Sequence, residues 1–398
     1  MKKYKLFITL AASLFLTSSC YDLDVYPEDQ LSSGTFFQTQ DHADQIMMGV
    51  YSQMQSDDIF GRQFGLDCLG GIGSGYDPAS YAVIGRGTYN STSGLVTGKF
   101  KNLYEGIARA NILLQNVDRC DMSDELKLRY KAEARFMRAL YYFTLMDFFG
   151  PVPVYDESTI VAEDFMNMLE PRKSLEEVRK FIIDDLDNAD TYLPTEWDAS
   201  NAGRATKAAA MSLKGKVLLY AKEYEAAKEC FEAVVTNKEG KYGEKELYPD
   251  YAGLFKPGGD ESSEMIFAIQ NIGGVGQDFG MPTTFYMGSR ASYGSCWNNV
   301  MASIDFVDSY ECKNGKPFDW NDYFEGYNEN IDIRSTLCQA GQQQKSGNLS
   351  CKPRQAIGNV RKSRPAYESI YYSSLHTLCR LGEKCAERYR IHSPGKTG

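Results

Sequence analysis

The side chains that could do covalent or proton chemistry are few and poorly arranged for it. Only three histidines, His42, His376 and His392, occur in 398 residues, too few for a His-built metal centre or a conventional Ser-His-Asp triad. Cys68, Cys120, Cys230, Cys296 and Cys312, the cysteines of 21–334, are odd in number and show no C-x-x-C spacing. Neither a zinc site nor a disulfide framework is expected from them. The run Gly70-Gly71-Ile72-Gly73-Ser74-Gly75 resembles a nucleotide loop only superficially, because no Gly-Lys-Ser/Thr follows it. Asp319, Asn321, Asp322 and Glu325 offer oxygens to Ca²⁺, but the glycine at the sixth position of an EF-hand loop is missing, and a solvated acidic loop is the simpler reading. Glycoside hydrolysis needs two carboxylates ~5 Å or ~6.5–9.5 Å apart across a sugar; Asp67, Asp77 and Asp305 are the candidates for that alternative. No catalytic residue, no metal ligand and no cofactor is expected.

What the sequence does supply is material for stacking. Two Gly-, Ser- and Tyr-rich segments, 57–98 and 271–300, lack helical periodicity, and long connections of this kind are usually functional. The first carries Tyr76, Asp77, Tyr81, Arg86, Tyr89 and Asn90; the second carries Tyr286, Arg290, Tyr293, Trp297 and Asn298. Sugars present CH faces to aromatic rings and hydroxyls to planar polar groups, so this mixture suits an oligosaccharide. The bland alternative is that the rings cover the core or meet a protein partner. A net charge of −21 over residues 20–334 opposes polyanions and nucleic acid. The expected ligand is therefore a neutral oligosaccharide stacked on Trp297 or a neighbouring tyrosine.

The elements that must hold these segments read as helices. Leu126, Tyr130, Ala134, Met137, Tyr141, Leu145 and Phe148 recur at steps of three and four, with Ser123 as N-cap and Gly150-Pro151 as stop. That pattern predicts one long amphipathic helix. Ser174 with Glu177 forms a capping box opening a helix to about Tyr192. Thr206 to Ala221 and Tyr224 to Thr236 form a hairpin in which Gly215, Tyr224, Ala227 and Phe231 stand at tetratricopeptide spacing. Gly215 and Ala227 are expected to let the helices approach while Tyr224 and Phe231 fill the space beside them. Two further pairs, 99–118 with 124–149 and 41–55 with 174–192, are expected to stack on that hairpin.

The two ends differ from the middle. Lys2, Lys3 and Lys5 precede an apolar stretch from Leu6 to Leu16, about half of the ~20 residues that span a bilayer. Thr17-Ser18-Ser19 then lead to Cys20, an arrangement similar to a bacterial lipobox, in which the thiol is diacylated and becomes the mature N-terminus. Acyl chains insert at ~0.8 kcal/mol per buried CH₂, enough for two or three to hold a protein on a membrane. At the other end, 335–398 holds 11 Lys+Arg against 3 Asp+Glu and no Asp, Phe or Trp, although the chain has 21 Phe. Its basic residues are not in runs, as a nucleic-acid arm would have them. The segment reads as an aberrant basic tail, out of frame with what precedes it.

A family resemblance emerges from several stretches taken together. Tyr104-Glu105-Gly106-Ile107-Ala108-Arg109-Ala110-Asn111, Ala132 to Phe143 and Phe149-Gly150-Pro151-Val152-Pro153 resemble the SusD/RagB family. Gly203-Arg204-Ala205-Thr206, Glu264-Met265-Ile266-Phe267 and Asn314-Gly315-Lys316-Pro317 continue the likeness in order. The resemblance implies a mainly α, SusD-like fold of tetratricopeptide-type hairpins with long irregular ligand-binding loops. It implies an outer-membrane, lipid-anchored surface protein that binds a nutrient and works with a SusC-like TonB-dependent transporter, without catalysis. A glycan is the expected nutrient; the RagB side of the family leaves a lid for peptides or another non-glycan nutrient open. The expected organisation is a signal peptide at 1–19, lipidation at Cys20, a partial SusD-like domain over 20–334 and the tail at 335–398.

Overall fold

A computed structural model of the chain describes residues 36–75, 81–164, 166, 168–256, 258–271, 283–288, 297, 299–312, 315–322 and 325–329. The leader 1–19, Cys20 and the tail 335–398 lie outside the described residues, as do Tyr76, Asp77, Arg290, Tyr293 and Asn298. The fold is mainly α, and it divides into two compact units. One takes in Met1–Val50 with Ile107–Phe267; the other takes in Tyr51–Gly106 with Ala268–Gly398.

The principal helices are α1 (Gln40–Ser52), α2 (Gly94–Asn116), α3 (Asp124–Phe149), α4 (Leu175–Tyr192), α5 (Lys207–Tyr220) and α6 (Tyr224–Thr236). In the first unit α4 lies against α3, α5 against α4 and α6 against α5. The expected pairing of 41–55 with 174–192 is thereby replaced, since α3 and α5 are the main neighbours of α4. Helix α1 is tied to α3 instead: Tyr130 Oη donates to Asp44 at 2.7 Å, and Tyr141 Oη donates to the Val50 carbonyl at 2.6 Å.

Local signals set the helix ends. Ser123 accepts the Leu126 amide at the start of α3, and Gly150, at φ 68°, ends it. The Ser174 and Glu177 capping box is present at α4, and Thr206 caps α5 through the Ala209 amide. The apolar stripe of α3 is buried from Tyr130 to Leu145, yet the helix is not simply amphipathic. Phe136, Tyr142, Glu133 and Arg138 are buried as well, so its middle is enclosed nearly all round, as befits a helix central to a bundle.

The two enclosed charges are paired. Arg138 donates through Nε and Nη2 to both Asp185 oxygens at 2.8 Å, and through Nη1 to Asn111 and Glu157 at 2.6 Å. Arg204 grips Glu133 through Nε at 2.8 Å and Nη2 at 2.9 Å, and reaches Asp44 at 2.9 Å. Asn111, Glu133, Arg138 and Arg204 all belong to the stretches that carry the family resemblance. These four side chains form part of the ion-paired frame of the first unit.

In the α5/α6 hairpin a Cβ at Gly215 would come within 2.7 Å of the Phe231 ring, which is why glycine stands there. Tyr224 departs from expectation. It is 61% exposed, because it sits at the first position of α6, and Ala227, Cys230 and Val234 supply the buried face.

In the second unit the segment 57–98 is not one long loop. It folds as a π-helical turn Asp57–Gly61, a 3₁₀ turn Gln63–Cys68, strand β1 (Gly73–Gly75) and a helical turn Tyr81–Gly85 before α2 begins at Gly94, five residues ahead of the expected start. Strand β1 pairs antiparallel with β2 (Val300–Ala302), in the register Gly73↔Ala302, Ser74↔Met301 and Gly75↔Val300. Cys68, Tyr81, Ala82 and Val300 form the buried cluster beneath. The glycine run therefore serves as a strand. The Asp319 carboxylate is spent on its own loop, accepting from the Asn321 amide at 2.8 Å and Asn328 at 2.9 Å.

Candidate functional site

The β1/β2 pairing brings the two aromatic segments side by side. Ser303 N donates to the Ile72 carbonyl at 2.7 Å, locking the end of β2 to the turn before β1. On the incoming side the Trp297 amide donates to the Phe285 carbonyl at 2.8 Å, and the Asn299 amide donates to Tyr286 O. These backbone bonds fold 283–288 back on 297 and 299–300 and set their rings together.

The rings form one cluster. Tyr286 stacks on Phe64 at 5.6 Å between centroids and meets Phe285 at 5.2 Å and Trp297 at 5.9 Å edge to face; Phe285 and Trp297 lie 5.0 Å apart. The Arg62 guanidinium lies 4.9 Å from the centre of the Tyr286 ring and pairs with Asp57 at 2.8 Å. Trp297 is 47% exposed, so it remains partly open to solvent while Phe285 and Tyr286 pack against it. An exposed ring with a fixed orientation is what stacking on a sugar requires, since ordering it on binding costs little entropy.

Beside this platform lies a recess of about 220 Å³, lined by residues that include Asp57, Arg62, Phe64, Tyr81, Tyr286 and Asn299. Lys99 supports it from α2. Its Nζ donates to the Ile59 carbonyl at 3.0 Å and lies 5.6 Å from the centre of the Tyr81 ring. Burial holds the Lys99 ammonium down to about 8, against the pull of Asp58 in the other direction. Burial, and then the neighbouring Asp57, raise the Asp58 carboxyl above its ordinary value.

Of the residues singled out from sequence, Tyr81, Tyr286 and Trp297 meet at this place. Arg86 is occupied elsewhere, donating to the Gly75 carbonyl. Asn90 closes its own turn, accepting from the Thr92 amide at 2.9 Å and the Thr92 hydroxyl at 2.8 Å. Tyr89 is 49% exposed. Asp67 and Asp305 are exposed, Asp67 in the 3₁₀ turn and Asp305 in the turn Ile304–Asp308. Sequence reasoning missed Asp57, Arg62, Phe64, Lys99 and Asn299. The run from Asp57 to Phe64 lies at the start of the marked segment, and its mix of charges and aromatics was the available signal.

Residues 22–219 match the profile of a SusD-like family described as starch-binding and associating with the outer membrane. The chain is 26% identical over 303 residues to SusD-like protein P25 of Formosa agariphila, covering 69% of this chain and 56% of that protein. It spans little more than half the length of that relative. A SusD-like protein from Bacteroides fragilis superposes with a TM-score of 0.58 at 22% identity, over 74% of this chain and 56% of that one. A laminarin-binding SusD-like protein superposes with a TM-score of 0.51 at 25% identity, over 58% and 51% respectively.

Proposed function

Because the chain belongs to the SusD/RagB family, we propose that it is a glycan-binding protein that stacks a neutral oligosaccharide on the Tyr286 and Trp297 platform. The observation that carries this reading is the half-exposed Trp297 indole, held in place by Phe285 and Tyr286. It gains support from the starch-binding description of the family profile and from the laminarin named for one structural neighbour. The protein acts as a binder and not as a hydrolase, anchored to the outer membrane through an acylated Cys20 and passing its ligand to a SusC-like transporter. The acidic surface of the mature chain keeps polyanions away from the platform.

Calorimetric titration with malto- and laminari-oligosaccharides tests the reading, with wild type compared against Trp297→Ala and Tyr89→Ala. Loss of the Trp297 ring is expected to weaken binding by at least about twofold and up to about twelvefold, since an aromatic contact contributes ~0.5–1.5 kcal/mol beyond the area it buries. Equal affinities in all three proteins would remove both residues from the site. Reducing ends released from the same sugars would point to hydrolysis instead.

A further inference from the structure

Exposed apolar side chains gather on one short turn of the first unit. Between α3 and α4 the chain makes the helical turn Val161–Asp164 and then returns to the bundle. Ile160 and Val161 are 43% and 41% exposed, and Met166 and Leu169 are 82% and 87% exposed. Single exposed apolar residues are ordinary, whereas several gathered within ten residues mark a surface that meets a protein or a membrane.

Both stems of the turn are fixed. Gln115, at the C-terminal end of α2, donates to the Glu157 and Thr159 carbonyls at 3.0 Å, and Asn111 one turn earlier donates to the Tyr155 carbonyl at 3.0 Å. The Tyr155 hydroxyl donates in turn to the Met168 carbonyl at 3.3 Å, which holds the outgoing stem. Four carboxylates of the turn and its stems are engaged: Asp156 accepts the Ser158 amide at 2.9 Å, Glu157 pairs with Arg138 at 2.6 Å, Asp164 accepts the Ile160 amide at 2.9 Å and Glu170 stands 3.6 Å from Lys173. A segment rich in acids thus spends those charges on its own frame and shows aliphatic carbon to solvent.

What enters the unit beside this turn indicates what covers it. The Asp121 amide, just past the end of α2, donates to the Gln38 carbonyl at 2.9 Å, and Thr39 bridges to Asp121. Gln115 and Asp121 are six residues apart, so the chain arriving from Cys20 meets the same end of α2 that carries the turn. Sixteen residues separate Cys20 from Phe36, a reach of ~55 Å at full extension. An acylated Cys20 would keep the turn near lipid at high effective concentration, so that even a shallow contact forms. Composition agrees. None of the described residues from Ser158 to Glu170 is Trp, Tyr or Arg, the anchors that dominate protein interfaces, while aliphatic and thioether side chains gain chiefly by leaving water.

We propose that Ile160, Val161, Met166 and Leu169 form a membrane-contacting turn, inserted at the headgroup and acyl boundary of the lipid surface to which Cys20 is tethered. The proposal rests on the anchorage through Cys20 proposed above and goes beyond it, because acyl chains set distance from the membrane and the turn sets the orientation of the first unit.

The acylated full chain, reconstituted into vesicles of phosphatidylethanolamine and phosphatidylglycerol with brominated acyl chains, carries the test. Leu169→Trp adds an indole at the turn. Val235→Trp adds one at a 70% exposed position of α6, which packs on α5 and serves as the control. Emission is taken as the difference from wild type. The Leu169→Trp signal is expected to fall by at least about half, since an interfacial apolar face lies ~5–10 Å into the headgroup and acyl boundary, and the Val235→Trp signal is expected to be unchanged. Met166→Asp with Leu169→Asp is expected to keep the denaturation midpoint, both side chains lying in solvent, and to speed spontaneous transfer between vesicles at least about tenfold, a ratio smaller than full burial of one such side chain provides.

Equal quenching at 169 and 235, or an unchanged transfer rate, overturns the turn and leaves the Cys20 anchorage standing. A Leu169→Trp emission that shifts to the blue in native outer membranes yet is not quenched in pure lipid gives the surface to a protein partner and overturns the proposal as well. Wild type that fails to stay with the vesicles overturns the turn and the anchorage together.

Discussion

Arg138→Met tests the ion-paired frame of the first unit. Arg138 is 2% exposed and Asp185 is 5% exposed; they share two hydrogen bonds of 2.8 Å. Methionine matches the aliphatic stem but removes four charged hydrogen bonds and leaves Asp185 in an apolar interior. Its remaining cation, Arg135 Nε, stands 3.9 Å away. Burial already pushes the Asp185 carboxyl up despite Arg138, so without its partner it takes a proton or stays an uncompensated charge. Removing one member of a buried pair costs ~3–5 kcal/mol, a large fraction of the ~5–15 kcal/mol that holds a domain folded. Replacing both, Arg138→Met with Asp185→Leu, is expected to recover most of the loss, because paired burial of two charges gains little over apolar packing of similar volume. Equilibrium denaturation in urea reads both variants, with the midpoint shifting and the slope conserved. A single variant costing under ~1 kcal/mol, or a double variant no more stable than the single, would refute the view that the pair is locked by mutual need.

Gly215→Leu is expected to cost ~1–3 kcal/mol through overpacking, since even a Cβ would come within 2.7 Å of Phe231; an unchanged denaturation midpoint would separate α5 from α6 at that point. Lys99 has an ordinary value of 10.5 and titrates at about 8 in the folded protein, so between those pH values the unfolded chain binds more protons and stability rises with pH. Wild type is therefore expected to gain up to ~3 kcal/mol relative to Lys99→Met from pH 8 to pH 10.5, and a pH-independent difference would show that Lys99 keeps its proton. Cys20→Ala is expected to yield an exported protein that no longer sediments with membranes, because acyl chains supply the anchorage; pelleting after a salt wash would place the anchor elsewhere.

Helix ends were legible in the sequence because they are decided within a few residues. Ser123, Ser174 with Glu177 and Thr206 each satisfy amides one turn away, and no distant contact is needed to place them. The period of α3 and the close approach at Gly215 were legible for the same reason: spacing and side-chain size act locally. Tertiary structure decided what depends on neighbours from far along the chain. Helix α4 packs on α3 rather than pairing with α1, because Asp185 meets Arg138 across 47 residues. Tyr224 lies in solvent although its spacing suits a core position, while Arg86 is taken up by the Gly75 carbonyl of β1 and Asn90 by Thr92 in its own turn. The recess arises only when 57–65, 81, 94–95, 286 and 299–300 converge through the β1/β2 pairing. Periodicity gives no hint of that convergence, since it reports which face of an element is buried and not which distant segment buries it.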